Sequence, residues 1–456
     1  MKDTIRTIDK RTAALISLCF LLTSIGYLSW TYHMLDLIPS KMAELLTLSA
    51  GYLMQAAGIG LFSYVLHRRF GGLDSLFMTM LILFLLSLVP AAFSIFVLAA
   101  VVSGLFMNFV CGMIAGYYLY SLTGIHHKGS TALTLGAGYS SSVVASWILS
   151  LIDGGALYNS VFVLLICLAL ACAAYFLSRK QSWPASVPDT ENEPAESGEI
   201  VSKKLVLSIG GLILLFSIVN SCGFGFPSSD INGGITIEFT RLFYAVGLLV
   251  AGYLNHRDRR YGAVCALTAL IIPFVILSLK GETVPLICFW FLSYFTFGFY
   301  SIYRIVIFTD IAAEKHLPYL AGCGLLIGRI GDAAGEALHY CFSENILYLV
   351  ISASFLFAAS AILFVYVYSV SYLQNEPVKE TFEGLFNRFA AQHDLSFRER
   401  DVLRLLLEEK TNAEIADTLS VSESTVKFHV HNLLQKTGCR NRVMLLSVYT
   451  EESMRS

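Results

Sequence analysis

Two groups of side chains in this sequence could do chemistry. Arg329, Asp332 and Glu336 recur at i, i+3 and i+7 in an otherwise apolar stretch, roughly 317–340. That spacing puts all three on one face of a helix. Charges within an apolar span are costly, so each is a functional candidate. Either they meet a polar ligand or a proton from the interior, or they satisfy one another as ion pairs. Spacing leaves both readings open. A second span, roughly 236–255, holds Glu238 and Arg241 near its outer end. The other group lies between Ile415 and Gly438. Val426, Val430 and Leu433 form the buried stripe of a helix there, while Ser424, Lys427, Phe428, His431 and Gln435 fall on its opposite face. Ser422 is a natural N-cap for this helix, and Gly438 is placed to end it. A short helix closing at Leu419 precedes it. This is how a helix-turn-helix offers polar side chains to the DNA major groove.

The flanking residues extend the pattern. LSFRERDVLRLL opens a helix at Leu395; Asn412, Glu414, Ile415 and Ala416 open the next. Val421, Ser422, Glu423, Thr425, Val426, Lys427, His429 and Val430 follow, then Gly438, Arg440, Asn441 and Arg442. In this register, residues 394–453 resemble the LuxR-type DNA-binding domain, a four-helix module, with Phe397 where that family usually has proline. The resemblance implies promoter DNA as partner. It places Lys427, Phe428 and His431 where the family reaches base edges; for the last two the match is of position, not chemistry. Thr425, Lys436 and Arg440 are the expected phosphate contacts. The family's last helix often forms the dimer contact, so a homodimer through the tail is expected. Acids and bases nearly balance in the tail, so DNA affinity must come from a local basic face.

What positions the module is a membrane domain. The chain has 456 residues, 56% hydrophobic and 14% charged, against about 25% charged in soluble proteins. The excess of apolar residues lies before residue 374. Runs of spanning length occur at roughly 13–32, 45–66, 75–94, 96–120, 132–152 and 158–178. After a polar, proline-bearing linker (179–204), six more follow: 205–225, 236–255, 262–280, 284–308, 317–340 and 346–373. Each approaches the ~20 residues that a bilayer core demands. The fold expected is therefore all-α: a polytopic membrane domain of two six-helix halves (1–178 and 205–373), an amphipathic linker helix (374–393) and the tail (394–456). Bases cluster in alternate loops, at Arg68, Arg69, Lys128, Arg179, Arg257, Arg259 and Arg260 among others. The positive-inside rule then puts both termini in the cytoplasm, on a multi-pass protein of the inner (cytoplasmic) membrane in contact with lipid. No cleavable signal peptide is expected, because the first apolar run is long enough to span.

The halves resemble a repeat. HRRFGG (His67 to Gly72) follows the second span, and HRDRRYG (His256 to Gly262) follows the eighth. Span count, central linker and this basic loop resemble the major facilitator architecture. That family's loop usually carries an acid that helps gate the conformational change. Arg68 stands in its place, and Asp258 is one position out of register. A gate without its acid favours a sensor over a transporter.

Three further features bound the function. The aromatic run Phe289 to Arg304 is read either as packing and lipid contact or as a pocket for an apolar or ring-bearing ligand. Phe382, Leu385, Phe386 and Phe389 mark an amphipathic helix that could meet the membrane, the tail or a second chain. The ten cysteines include no CxxC, and no nucleophile, metal or nucleotide motif stands out, so neither cofactor nor enzymatic activity is expected. The reading is a membrane-embedded transcription regulator. A transporter-like domain senses a small ligand around Arg329, Asp332, Glu336 and Arg241 and controls promoter binding by the tail. The alternatives are a working transporter with a regulatory tail, or an anchor that sequesters the tail.

Overall fold

The computed structural model describes residues 8–66, 72–124, 128–152, 161–179, 203–224, 237–272, 283–342, 345–373 and 382–454. It divides into two compact units, Met1–Ser371 and Tyr372–Ser456. The fold is all-α in both.

The first unit is built from α1 (Lys10–Leu37), α2 (Lys41–Leu66), α3 (Leu73–Phe93), α4 (Val97–Leu122), α5 (Lys128–Ile152) and α6 (Val161–Ser178). A second set follows: α7 (Lys203–Phe224), α8 (Ile237–Arg257), α9 (Arg259–Ala269), α10 (Thr283–Glu314), α11 (Cys323–Phe342) and α12 (Ile346–Tyr368). Among the described residues, nine helices are long and apolar enough to cross a membrane. The other three are α8, with Arg241 within it and Asn255, His256 and Arg257 at its end; α11, with its three charged residues; and α9. Most of the remainder of the span expected at 262–280 lies outside the described residues, as do His67–Gly71 and the greater part of the 179–204 linker.

Within the first set α2 packs on α4, and α1 on α5 and α6; within the second, α7 packs on α11 and α8 on α10. The sets meet chiefly where α5 packs on α8 and α2 on α11. Without a hydrophobic drive between helices in lipid, close approach of small residues takes over. Gly136 of α5 shows this: a Cβ there would lie 2.7 Å from the Leu248 carbonyl oxygen of α8 and 3.2 Å from Gly252 Cα. Helix α2 is interrupted by π-helical turns at Leu45–Ala50 and Phe62–Leu66, which bracket Tyr52. Such turns recur at functional sites.

The second unit contains α13 (Phe382–Gln392), α14 (Phe397–Leu407), α15 (Asn412–Leu419), α16 (Glu423–Lys436) and α17 (Arg442–Met454). Ser396 with Glu399, and Thr411 with Glu414, form the capping boxes expected from their spacing. Val402, Leu403, Leu406, Ile415, Val426, Leu433 and Leu445 make one apolar core. Phe386 and Phe389 of α13 are buried in that same core, and Phe389 meets the Tyr449 ring at 5.1 Å. Of the three partners expected for α13, the tail is one that it meets. Arg404 fixes it from outside, pairing with Glu383 at 2.8 Å and lying over the Phe386 ring.

Candidate functional site

The polar face of α16 stands on a fixed frame. Ser422 caps the helix by accepting from Thr425 N–H at 3.2 Å. The turn before it passes through Ser420 at φ 52°, and Val421 N–H closes it on Ala416 O at 3.0 Å. A serine in the left-handed region is uncommon; nothing in the residue pattern marked it. Val426 and Leu433 are fully buried, and Val430 is partly buried against the same core. Lys427, Phe428, His431 and Arg440 are exposed, and Thr425 is half-buried. Phe428 is 61% exposed, a large apolar side chain on the same face as Lys427. Lys427 Nζ pairs with Glu423 Oε1 at 2.9 Å, one turn back along the helix.

Lys436 is placed differently from the others. Its ammonium donates to Asp394 O and to Glu399 Oε2, each at 2.8 Å. Glu399 also accepts from Ser396 N–H at 2.7 Å. Burial opposes ionisation of Glu399, but Lys436 and the Ser396 amide outweigh it and hold the carboxyl below its ordinary value. Lys436 therefore ties the end of α16 to the start of α14. Arg442 is a second tie, donating to Lys410 O at 2.7 Å and Leu406 O at 3.2 Å. On α17, Val443 is 75% exposed, whereas Leu445 is buried.

In the first unit, α11 lays Arg329 and Asp332 on one face, as their spacing required. Glu336 follows on the same helix and is half-buried; Arg241 is half-buried on α8. The side chain missing from the sequence reading is Arg304 of α10. It donates to Asp332 Oδ2 at 2.9 Å, with both side chains nearly inaccessible, while Arg329 reaches the same oxygen at 3.4 Å. Arg304 also donates to Tyr300 OH at 2.9 Å, and that hydroxyl meets Ser217 Oγ of α7. Arg329 lies over the Tyr52 ring of α2, 4.5 Å from its centroid. The cluster thus joins α2, α7, α10 and α11. The approach of α10 depends on Gly328: a Cβ there would lie 2.8 Å from Arg304 Nη1 and 3.0 Å from its Cδ. A signal for Arg304 was available, since it is the sole charged residue of the 284–308 run.

The second basic loop also differs from expectation. Asp258 caps α9, accepting from Arg260 N–H at 2.9 Å and pairing with the Arg260 side chain at 2.7 Å. The acid facing Arg259 comes from α10: Asp310 takes it bidentately, at 2.6 and 3.0 Å. Arg68 and Arg69 lie outside the described residues.

The tail has known relatives, and the membrane unit has neighbours in fold. The family model described as bacterial regulatory proteins, luxR family, matches residues 393–449. The spore germination protein GerE of Bacillus subtilis (strain 168) is 44% identical over 54 residues, 12% of this chain and 73% of that protein. The nitrate/nitrite response regulator NarP of Escherichia coli (strain K12) is 40% identical over 68 residues, 14% of this chain and 32% of that one. The human organic anion transporter MFSD10 superposes with a TM-score of 0.54 at 13% identity, covering 80% of this chain and 98% of that one. The Escherichia coli fucose:proton symporter FucP does so with a TM-score of 0.51 at 14% identity, covering 78% and 99%. At such identities the likeness is one of fold alone. Through its C-terminal helix-turn-helix the chain belongs to the luxR family of bacterial regulatory proteins, carried here on a multi-pass membrane unit of major-facilitator-like fold.

Proposed function

We propose that the chain is a membrane-embedded transcription regulator. Its transporter-like unit senses a small ligand and thereby controls promoter binding by the tail. The observation that supports this best is the exposed face of α16, with Lys427, Phe428 and His431 turned outward from a core that buries Val426 and Leu433. Thr425 and Arg440 are the proposed phosphate contacts; Lys436 would reach a phosphate only by leaving Glu399. The exposed Val443 and Met444 of α17 favour a homodimer through the tail. Arg329, Asp332, Glu336 and Arg241 are the proposed ligand-sensing residues, joined now by Arg304. The loop bases support a cytoplasmic position for both termini of an inner-membrane protein. The role proposed is regulatory rather than enzymatic.

The test joins the two ends. Promoter occupancy and transcript profiles in a deletion strain identify the operator. Lys427→Ala should then weaken operator binding, with a salt slope lower by about 1 for a phosphate contact, or a loss of about 1–3 kcal/mol at selected sequences for a base contact. Tail DNA binding that is absent even at low salt would remove the reading. A second reading, transport coupled to regulation, is favoured by the Arg259–Asp310 pair, which gives the second half a charged clamp after all. Gradient-driven uptake of the inducing compound by vesicles containing the protein would establish it.

A further inference from the structure

The membrane cluster has more donor capacity than its own acid uses. A single oxygen, Asp332 Oδ2, accepts from both Arg304 Nη1 and Arg329 Nη1. Nε of Arg304 and Nε of Arg329 are both buried and meet no acceptor. Arg304 is 4% exposed, so this is an unpaired donor deep in the unit. Each guanidinium has an aromatic ring beside it, Arg304 with its Cζ 4.8 Å from the Tyr300 centroid and Arg329 with its Cζ 4.5 Å from that of Tyr52. Each therefore keeps a buried Nε–H without an acceptor beside a ring. A guanidinium edge with Nε–H and a terminal N–H matches two oxygens of a carboxylate or phosphate.

Formal charge decides how such a group would enter. Arg304 and Arg329 stand against Asp332 and Glu336, so a ligand cannot simply fill a positive excess. It must take over a contact that an internal acid now makes. The contact easiest to exchange is Arg329 to Asp332: at 3.4 Å it is the longer of the two, and the Arg329 side chain is 20% exposed against 5% for Arg304.

We infer that this site takes a small oxyanion, a carboxylate or phosphate, that replaces Asp332 at Arg329 and engages the Nε edge. The inference rests on the sensing reading above and names the chemical class sensed. Exchange leaves Asp332 paired to Arg304 alone. Arg329, on α11 and beside the Tyr52 ring of α2, is then released from its own helix's acid, which gives ligand-bound and ligand-free states different contacts between the two sets of helices.

The test uses the full chain in phosphatidylcholine nanodiscs, with the unfolding midpoint read against acetate, benzoate and inorganic phosphate. Acetamide, benzamide and benzylamine are the neutral and cationic counterparts. At least one oxyanion should raise the midpoint saturably, and its amide or amine counterpart should not. The oxyanion that acts separates a carboxylate from a phosphate site. Arg329→Gln should weaken its dissociation constant at least tenfold, with Arg329→Lys between. No shift with any oxyanion, an equal shift with the amide, or an unchanged shift in Arg329→Gln would each overturn the assignment. Arg304→Gln leaves Asp332 short of a partner and is expected to insert poorly, so the more accessible Arg329 carries the test. A promoter reporter separates this from the sensing reading. An oxyanion that binds without changing output removes sensing and leaves the anion site standing. Output driven by a neutral compound and untouched by Arg329→Gln removes the anion site and leaves sensing standing.

Discussion

Among the charged contacts that tie helices together, one from each unit makes a comparison, and the two are built on opposite plans. In the membrane unit Asp332 lies between Arg304 and Arg329, and its contact with Arg304 is all but closed to the exterior, at 5% and 6% side-chain exposure. In the tail Glu399 is equally buried, but its partner Lys436 is 37% exposed. Glu399 first completes a capping box and only then accepts Lys436. The membrane pair is thus held where no water competes, and removing one partner strands a charge. The tail pair is secondary to a cap and an apolar core. Burial of both partners, not distance, should set how much each contact matters, for the Arg304–Asp332 and Lys436–Glu399 separations differ by only 0.1 Å.

The largest effect expected is therefore at Arg304. Arg304→Gln should destabilise the membrane unit by roughly 3–5 kcal/mol, the range for breaking a buried pair from one side. Adding Asp332→Asn should recover much of that loss by removing the stranded charge. Folded yield in detergent and thermal midpoint measure both. A single variant as stable as wild type would dissolve the contrast with the tail. In the tail the corresponding large effect should come from the core. Leu403 is fully buried, and Leu403→Ala should cost roughly 2–5 kcal/mol.

Glu399→Gln should cost less, about 1–2 kcal/mol, because its lysine partner recovers water when released. Its pH dependence follows from the depressed carboxyl. The folded-state value lies below the ordinary 4.5, so the stabilisation is fully present above about that pH and is lost as pH falls through the folded value. Thermal melts of wild type and Glu399→Gln should therefore converge as pH falls below the ordinary 4.5. Melts that stay parallel throughout acidification would remove the ion pair from the account.

How much of this was legible in the sequence differs between the units for a physical reason. In the tail, local chemistry is written in short range. Ser396 to Glu399 and Thr411 to Glu414 read directly as caps, and Val426 with Leu433 read as the buried stripe. What escaped was long range: Lys436 reaching 37 residues back to Glu399, and the packing of Phe386 and Phe389 of α13 into the tail core. In the membrane unit the spans were visible from apolar length, and Arg329 and Asp332 from helical spacing. Arg304 was hidden in plain view, because an aromatic run drew the reading of α10 toward packing. The Gly328 contact could not be read at all, since it depends on which helix α11 faces.

The smallest effect expected concerns the third pair, Lys427 with Glu423, in which both partners are mostly exposed, at 62% and 51%. By the same reasoning it contributes little to stability, about 0.3–0.5 kcal/mol for an i, i+4 pair. Its position on the proposed DNA face gives it another consequence. Any phosphate or base edge that takes Lys427 must first displace Glu423, whose carboxylate also repels phosphate. Glu423→Gln should therefore raise tail affinity for DNA of any sequence, by up to about fivefold at low salt, since the pair is worth under ~1 kcal/mol. The gain should fade toward 0.5 M salt, where screening already silences both charges. It should also vanish in Glu423→Gln/Lys427→Ala, which leaves no ammonium to release. The substitution costs the acid in the first turn of α16, so the helix end weakens slightly, by about 0.3–1 kcal/mol. That cost works against binding, which makes a measured rise the more telling. A rise confined to the operator would mean that Glu423 acts through base readout, and an affinity that falls at low salt would mean that the helix end outweighs the released lysine.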